Sequence, residues 1–203
     1  MLFDHRRLVT RYKRGEDAKD DIASKLVPAL KEKNATLYGA FASQLGLHGN
    51  EIVVITRWPS ASAANTAEAT ISNALQVEHA TPRLLTATAR PNVDSLTRTT
   101  GIFVHRWFTF NERDWPEFLQ LSTEAWPDFE ATYDAEIQAF LKTPPDADGT
   151  SAVLLLTQYK NHGEWERSRT PAGRAQGAWV KFRRRHELTV ATIAVSTTLL
   201  SHG

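Results

Sequence analysis

The sequence of 203 residues contains no cysteine, which excludes disulfides, thiolate catalysis and cysteine-ligated zinc or iron–sulfur sites. No apolar run approaches the roughly 20 residues that a membrane-spanning helix needs. The 24 basic and 23 acidic residues leave a formal net charge of +1, so no field of one sign covers the molecule. We therefore expect a cytoplasmic protein that binds neither nucleic acid nor membranes.

Several catalytic motifs are also absent. There is no glycine-rich phosphate loop, no HExxH pattern and no nucleophile elbow around a serine. His162, Glu164 and Glu166 stand close together near a predicted helix start, but a solvated loop explains them better than a metal site. The sequence therefore predicts no metal and no cofactor.

Short segments of the chain recur in the same order, which indicates an internal duplication. Residues 9–12 (VTRY) return as 104–107 (VHRW), 54–58 (VITRW) as 155–159 (LLTQY), and 85–87 (LTA) as 188–190 (LTV). The separation grows along the chain, as small loop insertions in the second copy would produce.

Both copies show the same succession of periodicities: strand, helix, two strands, helix, strand. In the first copy we predict strands at 7–13, 37–44, 51–58 and 83–89, with helices at 15–33 and 62–75. In the second copy we predict strands at 102–110, 137–142, 152–159 and 187–199, with helices at 112–130 and 164–185. The predicted division is a first repeat at 1–90, a linker at 91–99 and a second repeat at 100–203.

This succession is that of the ferredoxin-like motif, a four-stranded antiparallel sheet with both helices on one face. The other face of each sheet must be covered. We therefore predict an α+β fold of tandem ferredoxin-like repeats, whose two sheets pack face to face within one chain as an eight-stranded α/β barrel. A homodimer would form on top of this pair, through strand edges or helices.

Several aromatic and charged runs resemble the NIPSNAP family. They are residues 105–108 (HRWF), 125–130 (AWPDFE), 156–159 (LTQY) and 164–169 (EWERSR). The resemblance is best over 101–170, and it implies the dimeric α/β-barrel superfamily. That superfamily includes cofactor-free monooxygenases, haem-handling enzymes, isomerases and stress-response proteins, and the fold does not choose among them.

Alternation along strands suggests a binding site inside the barrel. Phe103, His105 and Trp107 share one strand face, and the repeat match places Leu8, Thr10 and Tyr12 with them. In the third strand of each copy, Trp58 follows Thr56, and Tyr159 follows Thr157. The predicted substrate-binding residues are Tyr12, Trp58, Trp107, Thr157 and Tyr159, which would make an aromatic pocket with a few polar groups.

His105 is the candidate catalytic residue, since histidine is the usual general base; the alternative is a hydrogen-bonded core histidine. Three functions stay open. In the first, the barrel binds a small apolar or aromatic molecule, with or without cofactor-free oxygenation or isomerisation. In the second, the protein is a non-catalytic structural or interaction module. In the third, it binds haem through His105 or His162. The sequence does not decide whether the protein is an enzyme.

Two charged stretches face each other in the predicted layout. Residues 112–136 are mostly acidic, and residues 160–187 are mostly basic and include Arg183, Arg184 and Arg185. Because the helices they form would lie side by side on one sheet, we predict pairing within the chain rather than binding to phosphate or RNA.

Overall fold

The computed structural model describes residues 2–91, 94–173 and 175–203, and each half of the chain follows the predicted element order. The strands of the first half are β1 (Leu2–Thr10), β2 (Thr36–Leu45), β3 (Glu51–Trp58) and β4 (Val77–Arg90). Helical run α1 joins the segments Gly15–Ala18, Lys19–Asp21, Ile22–Leu26 and Val27–Glu32, and α2 joins Ala61–Ala64 and Ala67–Ala74.

The second half repeats this arrangement with longer helices. Its strands are β5 (Ile102–Asn111), β6 (Ala135–Lys142), β7 (Thr150–Tyr159) and β8 (Thr189–Ser201). Its helices are α3 (Trp115–Thr132), which follows a short 3₁₀ turn, α4 (His162–Arg167) and α5 (Ala175–Glu187). The helix predicted at 164–185 is therefore divided into two, α4 and α5.

Helices form where apolar residues recur at helical spacing. In α1, Ile22, Leu26 and Leu30 are fully buried and stand four residues apart. Glycines close the two β-hairpins, because Gly46 (φ 93°) and Gly149 (φ 78°) adopt backbone conformations that other residues rarely take.

The eight strands close into one antiparallel barrel in the order β1-β3-β2-β8-β5-β7-β6-β4. The halves meet at two seams, β2 with β8 and β4 with β6. The predicted fold class, a pair of ferredoxin-like sheets closing as a barrel within one chain, is confirmed.

The barrel interior is apolar and is built from both halves. Its buried members include Phe3, Tyr38, Phe41, Val53, Ile55, Leu85, Phe103, Leu141, Leu154 and Leu156. Two further cores lie outside the barrel, each between one half of the sheet and its own helices. The molecule therefore has three apolar layers.

Strand β1 corrects the predicted register of the duplication. β1 begins at Leu2 rather than at residue 7. The counterpart of Arg106 is Arg6 rather than Arg11, because the two arginines have equivalent partners. Arg6 lies opposite Val54 on β3, and Arg106 lies opposite Leu155 on β7. A shift by an odd number of residues moves every side chain to the other face of a strand. Leu8 and Tyr12 accordingly pack under the helices of the first half.

Helices α3 and α5 lie side by side, as predicted, and pair their charges. Arg184 Nε bonds Glu117 Oε1 at 2.6 Å, and Lys181 Nζ lies 3.2 Å from Glu124 Oε2. No helix among the described residues is long and apolar enough to cross a membrane.

A connector joins the halves between the end of β4 at Arg90 and the start of β5 at Ile102. Residues 92 and 93 of the predicted linker lie outside the described part of the chain. Leu96 of the connector is buried with the barrel interior.

Candidate functional site

The region around His105 is densely packed. The His105 side chain is fully buried; its Nε2 lies 3.0 Å from Thr197 Oγ1, which itself donates to the Phe103 carbonyl at 3.2 Å. Since the hydroxyl proton is used in that bond, Nε2 carries the imidazole proton. His105 Nδ1 has no partner among the described residues, and the Phe41 ring lies edge-on with centroids 4.8 Å apart.

A second buried histidine faces His105 across the barrel. The ring centroids of His5 and His105 are 6.1 Å apart, and neither nitrogen of His5 has a partner within the described chain. Burial, and then the charge of Arg83, lowers the pKa of His5 to about 3; burial also lowers the pKa of His105 well below its usual value. Both imidazoles are therefore neutral at physiological pH.

The structure separates the residues that were predicted to line one pocket. His105 and Trp107 do face the barrel interior. Tyr12 and Trp58 lie instead in the core between the first half of the sheet and its helices. Thr157 and Tyr159 lie on the helix-covered face of the second half, so the predicted interior pocket is wrong for four of the six side chains.

The misplaced pairs have a simple physical explanation. On β3 and β7, Ile55 and Leu156 face the barrel interior. Because side chains alternate along a strand, Trp58 and Tyr159, three residues further on, lie on the opposite face, under the helices. Trp58 Nε1 finds a partner in Thr56 Oγ1 at 2.8 Å.

A cavity of about 300 Å³ lies between the second half of the sheet and helices α3, α4 and α5. Its apolar walls are formed by Val104, Phe108, Trp126, Phe129, Ile137, Leu155, Trp165, Trp179 and Phe182. The hydroxyl-bearing residues Thr157, Tyr159 and Ser168 also line it. A concave surface that combines aromatic rings with polar groups is typical of a small-molecule site.

Arg185 projects from α5 into this cavity wall. It is 7% exposed, and its guanidinium carbon lies 4.6 Å from the ring centre of Phe108 and 4.7 Å from that of Phe182. Its Nη1 donates to Ser122 Oγ at 3.1 Å, while Nε has no partner among the described residues. Burial, and then the nearby charge of Arg106, lowers the pKa of Arg185 to about 9.

Arg106 reaches the same cavity from β5. Burial lowers its pKa, and the neighbouring charge of Arg169 lowers it further. Within the described chain, neither Arg106 nor Arg185 forms an ion pair with a carboxylate. Arg169, Arg183 and His186 also line the cavity.

Arg106 was not predicted as a site residue, although a comparison of the two copies reveals it. Arg185 was predicted to pair with acidic residues within the chain, and this is wrong, because Arg185 lines the cavity and contacts Ser122 and aromatic rings. Residues 2–6 read LFDHR and residues 102–106 read IFVHR, so the copies match at Phe, His and Arg but differ where Asp4 is replaced by Val104. Arg185 stands in a run of three arginines and gives no comparable indication.

The side chains near His162, which were considered as a metal site and not favoured as one, make contacts within the fold. His162 Nε2 lies 3.0 Å from Ser196 Oγ, and Glu164 pairs with Arg167. No group of three or more histidine, aspartate or glutamate side chains in the described residues could hold a metal ion.

Comparison with known proteins shows the fold and not the family. No family model and no curated protein matches this chain. A candidate monooxygenase from Lactobacillus acidophilus is similar in structure, with a TM-score of 0.58 and 12% identity over 98% of this chain and 94% of that one. A haem-binding protein from Thermus thermophilus gives a TM-score of 0.53 and 11% identity over 98% and 90%.

An uncharacterised NIPSNAP domain protein from Burkholderia xenovorans also matches, over 45% of this chain and all of that one. Its identity is 17% and its TM-score 0.35. The NIPSNAP resemblance therefore stays a prediction. The structures that match 98% of this chain show that it shares their fold.

Proposed function

We propose that the protein binds a small apolar or aromatic molecule in the cavity between the second half of the sheet and helices α3, α4 and α5. The cavity itself carries this proposal: its volume of about 300 Å³ is room for one or two rings, and seven aromatic side chains line it. The barrel interior, where the sequence predicts the ligand site, is occupied by the protein's own side chains. Structures of similar fold described as a monooxygenase candidate and as haem-binding agree with a ligand-binding role.

Haem does not fit this cavity. A volume of about 300 Å³ is at the lower end for ligand sites and suits one or two rings better than a four-pyrrole macrocycle. The two histidines predicted as axial ligands, His105 and His162, do not line it. His186 does, but its side chain is exposed to solvent. We therefore expect no Soret shift when haem is titrated into the protein.

The cofactor-free oxygenation or isomerisation considered from the sequence needs a group that moves a proton at the ligand. His105 lies in the barrel interior and not in this cavity, so it could act only on a substrate inside the barrel. Its catalytic role stays a prediction. In the cavity, burial raises the pKa of Tyr159, which keeps the phenol protonated and makes it a hydrogen-bond donor. The geometry supports binding more directly than proton abstraction.

A matched pair of substitutions tests the binding proposal. Val104→Phe places a ring in the cavity, whereas Val190→Phe adds the same atoms at a position that is 62% exposed on β8. Calorimetric titration with 1-naphthoate and with its neutral amide, 1-naphthamide, measures binding. We expect at least one probe to bind the native protein and the Val190→Phe variant, and to bind Val104→Phe at least tenfold more weakly. If neither probe binds, or if Val104→Phe binds normally, the proposal is wrong.

A non-catalytic interaction module remains the alternative function. We propose that any homodimer forms outside the barrel, because both sheet faces are already covered within one chain. Light scattering across a range of concentrations tests for the dimer.

A further inference from the structure

The charges around the cavity are of one sign. Among the described residues, Arg106, Arg169, Arg183, Arg185 and His186 line it, and no aspartate or glutamate does. Arg185 is buried and Arg106 is half-buried, so their charges are poorly solvated. Buried cations are normally paired. A cavity with such a lining therefore favours a ligand that brings a negative charge.

The first half of the molecule shows what the second half lacks. Arg6, the counterpart of Arg106, is bound by Asp4 through two hydrogen bonds, Nε to Oδ1 at 2.7 Å and Nη2 to Oδ2 at 3.2 Å. At the equivalent position the second half has Val104, which lines the cavity. The same strand position thus carries an internally neutralised arginine in one half and an unpaired arginine beside a cavity in the other.

The missing partner does not reflect a shortage of acidic residues nearby. Arg184, next to Arg185 in the chain, pairs with Glu117 of α3 at 2.6 Å, and Arg90 pairs with Glu130 at 2.6 Å. On helix α5, Arg184 points toward Glu117, whereas Arg185 points toward the sheet and lines the cavity. Apart from Ser122 Oγ, Arg185 has only aromatic rings as neighbours in the contacts described.

We infer that the ligand of this cavity is an aromatic carboxylate. Its carboxylate group pairs with Arg106 and Arg185, as the Asp4 carboxylate pairs with Arg6 in the first half. This inference rests on the proposed function and names the class of its ligand. The planar fork of a guanidinium matches the two oxygens of a carboxylate, and charge-assisted bonds of this kind are about twice as strong as neutral ones. The aromatic body of the ligand packs against the rings of the cavity wall.

The first experiment compares 1-naphthoate with 1-naphthamide, which have the same ring system and nearly the same shape but differ in charge. We expect the native protein to bind the carboxylate at least about tenfold more tightly than the amide, because an ion-assisted bond to a poorly solvated arginine is lost in the amide. The preference should decrease in the Arg106→Met variant, with little change for the amide.

The second experiment introduces into the second half the carboxylate that the first half has at Asp4. Val104→Asp supplies Arg106 with an internal carboxylate, as Asp4 does for Arg6, and should weaken 1-naphthoate binding at least about tenfold while the amide still binds. Arg184→Gln is the control, since Arg184 pairs with Glu117 on the surface and does not line the cavity. Thermal unfolding of each variant verifies that it is folded. If Val104→Asp does not fold, the Arg106→Met variant tests the inference.

The outcomes separate the two proposals. If both probes bind equally and Arg106→Met changes neither, binding in the cavity stands and the assignment of a carboxylate ligand is overturned. If neither probe binds, the proposed function fails. If the carboxylate is preferred and that preference is lost in Arg106→Met but kept in Arg184→Gln, the inference is supported.

Discussion

His5 and His105 place two neutral imidazoles in the barrel interior, and their burial makes folding depend on pH. The pKa of His5 is lowered to about 3, and that of His105 is lowered too, whereas an exposed histidine titrates near 6.5. Below about pH 6.5 the unfolded chain binds protons that the folded chain does not. The free energy of unfolding should therefore be constant above this pH and fall as pH decreases toward 3.

We expect this loss to approach about 1.4 kcal/mol per pH unit for each histidine between pH 6 and 5, where most carboxylates are still ionised. Urea unfolding at pH 7, 6 and 5 measures it. His5→Phe should reduce the slope by about half, while His79→Phe, on the exposed part of β4, should not change it. An unchanged slope in His5→Phe would show that the buried pair does not control acid stability.

At the level of single residues, the sequence predicted His105 and Trp107 on the interior face but not the partners they meet there. The match of residues 9–12 with 104–107 sets a wrong register, and residues 2–6 match 102–106 better. Arg106 and Arg185 could not be assigned to a cavity, because an arginine on a strand or in a basic run is usually solvated. Only the packing of α5 on the sheet shows that Arg185 points inward.

Among the elements, helix α3 packs on the sheet of the second half through aromatic rings, one pair stacked and one edge-on. Phe118 is fully buried, and its ring lies 4.9 Å from Phe110 and 5.4 Å from Phe108, centre to centre. Phe118→Ala should lower the free energy of unfolding by about 3–5 kcal/mol, because a large cavity would replace the ring.

Val180→Ala is the control for this change. Val180 lies on the neighbouring helix α5 and is 58% exposed, so we expect a loss of about 0.5 kcal/mol or less. Urea unfolding at neutral pH measures both variants. A loss below about 1 kcal/mol for Phe118→Ala would mean that α3 is not anchored through this ring.

The elements themselves were largely predictable, since helices and strands follow distinct periods. The strand at 51–58 was predicted at its observed bounds, and α3 extends two residues past its predicted end. β1 was misplaced because its residues His5, Arg6 and Arg7 are charged or polar, and a polar run does not resemble a buried strand. Arg6 is nevertheless buried there, since Asp4 pairs with it.

For the whole molecule, we expect the shared barrel interior to couple the two halves into one cooperative unit. Phe41 of β2 lies 5.1 Å from Phe103 of β5 and 4.8 Å from His105, centre to centre, so a side chain of the first half packs on the second. The seams β2–β8 and β4–β6 add backbone hydrogen bonds across the same boundary. Neither half can lose its interior face without exposing that of the other.

Phe41→Ala should therefore accelerate global exchange of backbone amides in both halves. Removing a buried phenylalanine costs about 3–5 kcal/mol, and in a cooperative unit this cost appears equally in β3 of the first half and β7 of the second. Hydrogen exchange followed by mass spectrometry measures the two strands in one sample. Leu45→Ala, at an exposed position of the same strand, should change neither. Faster exchange confined to β3 would show that the halves unfold independently and that barrel closure does not couple them.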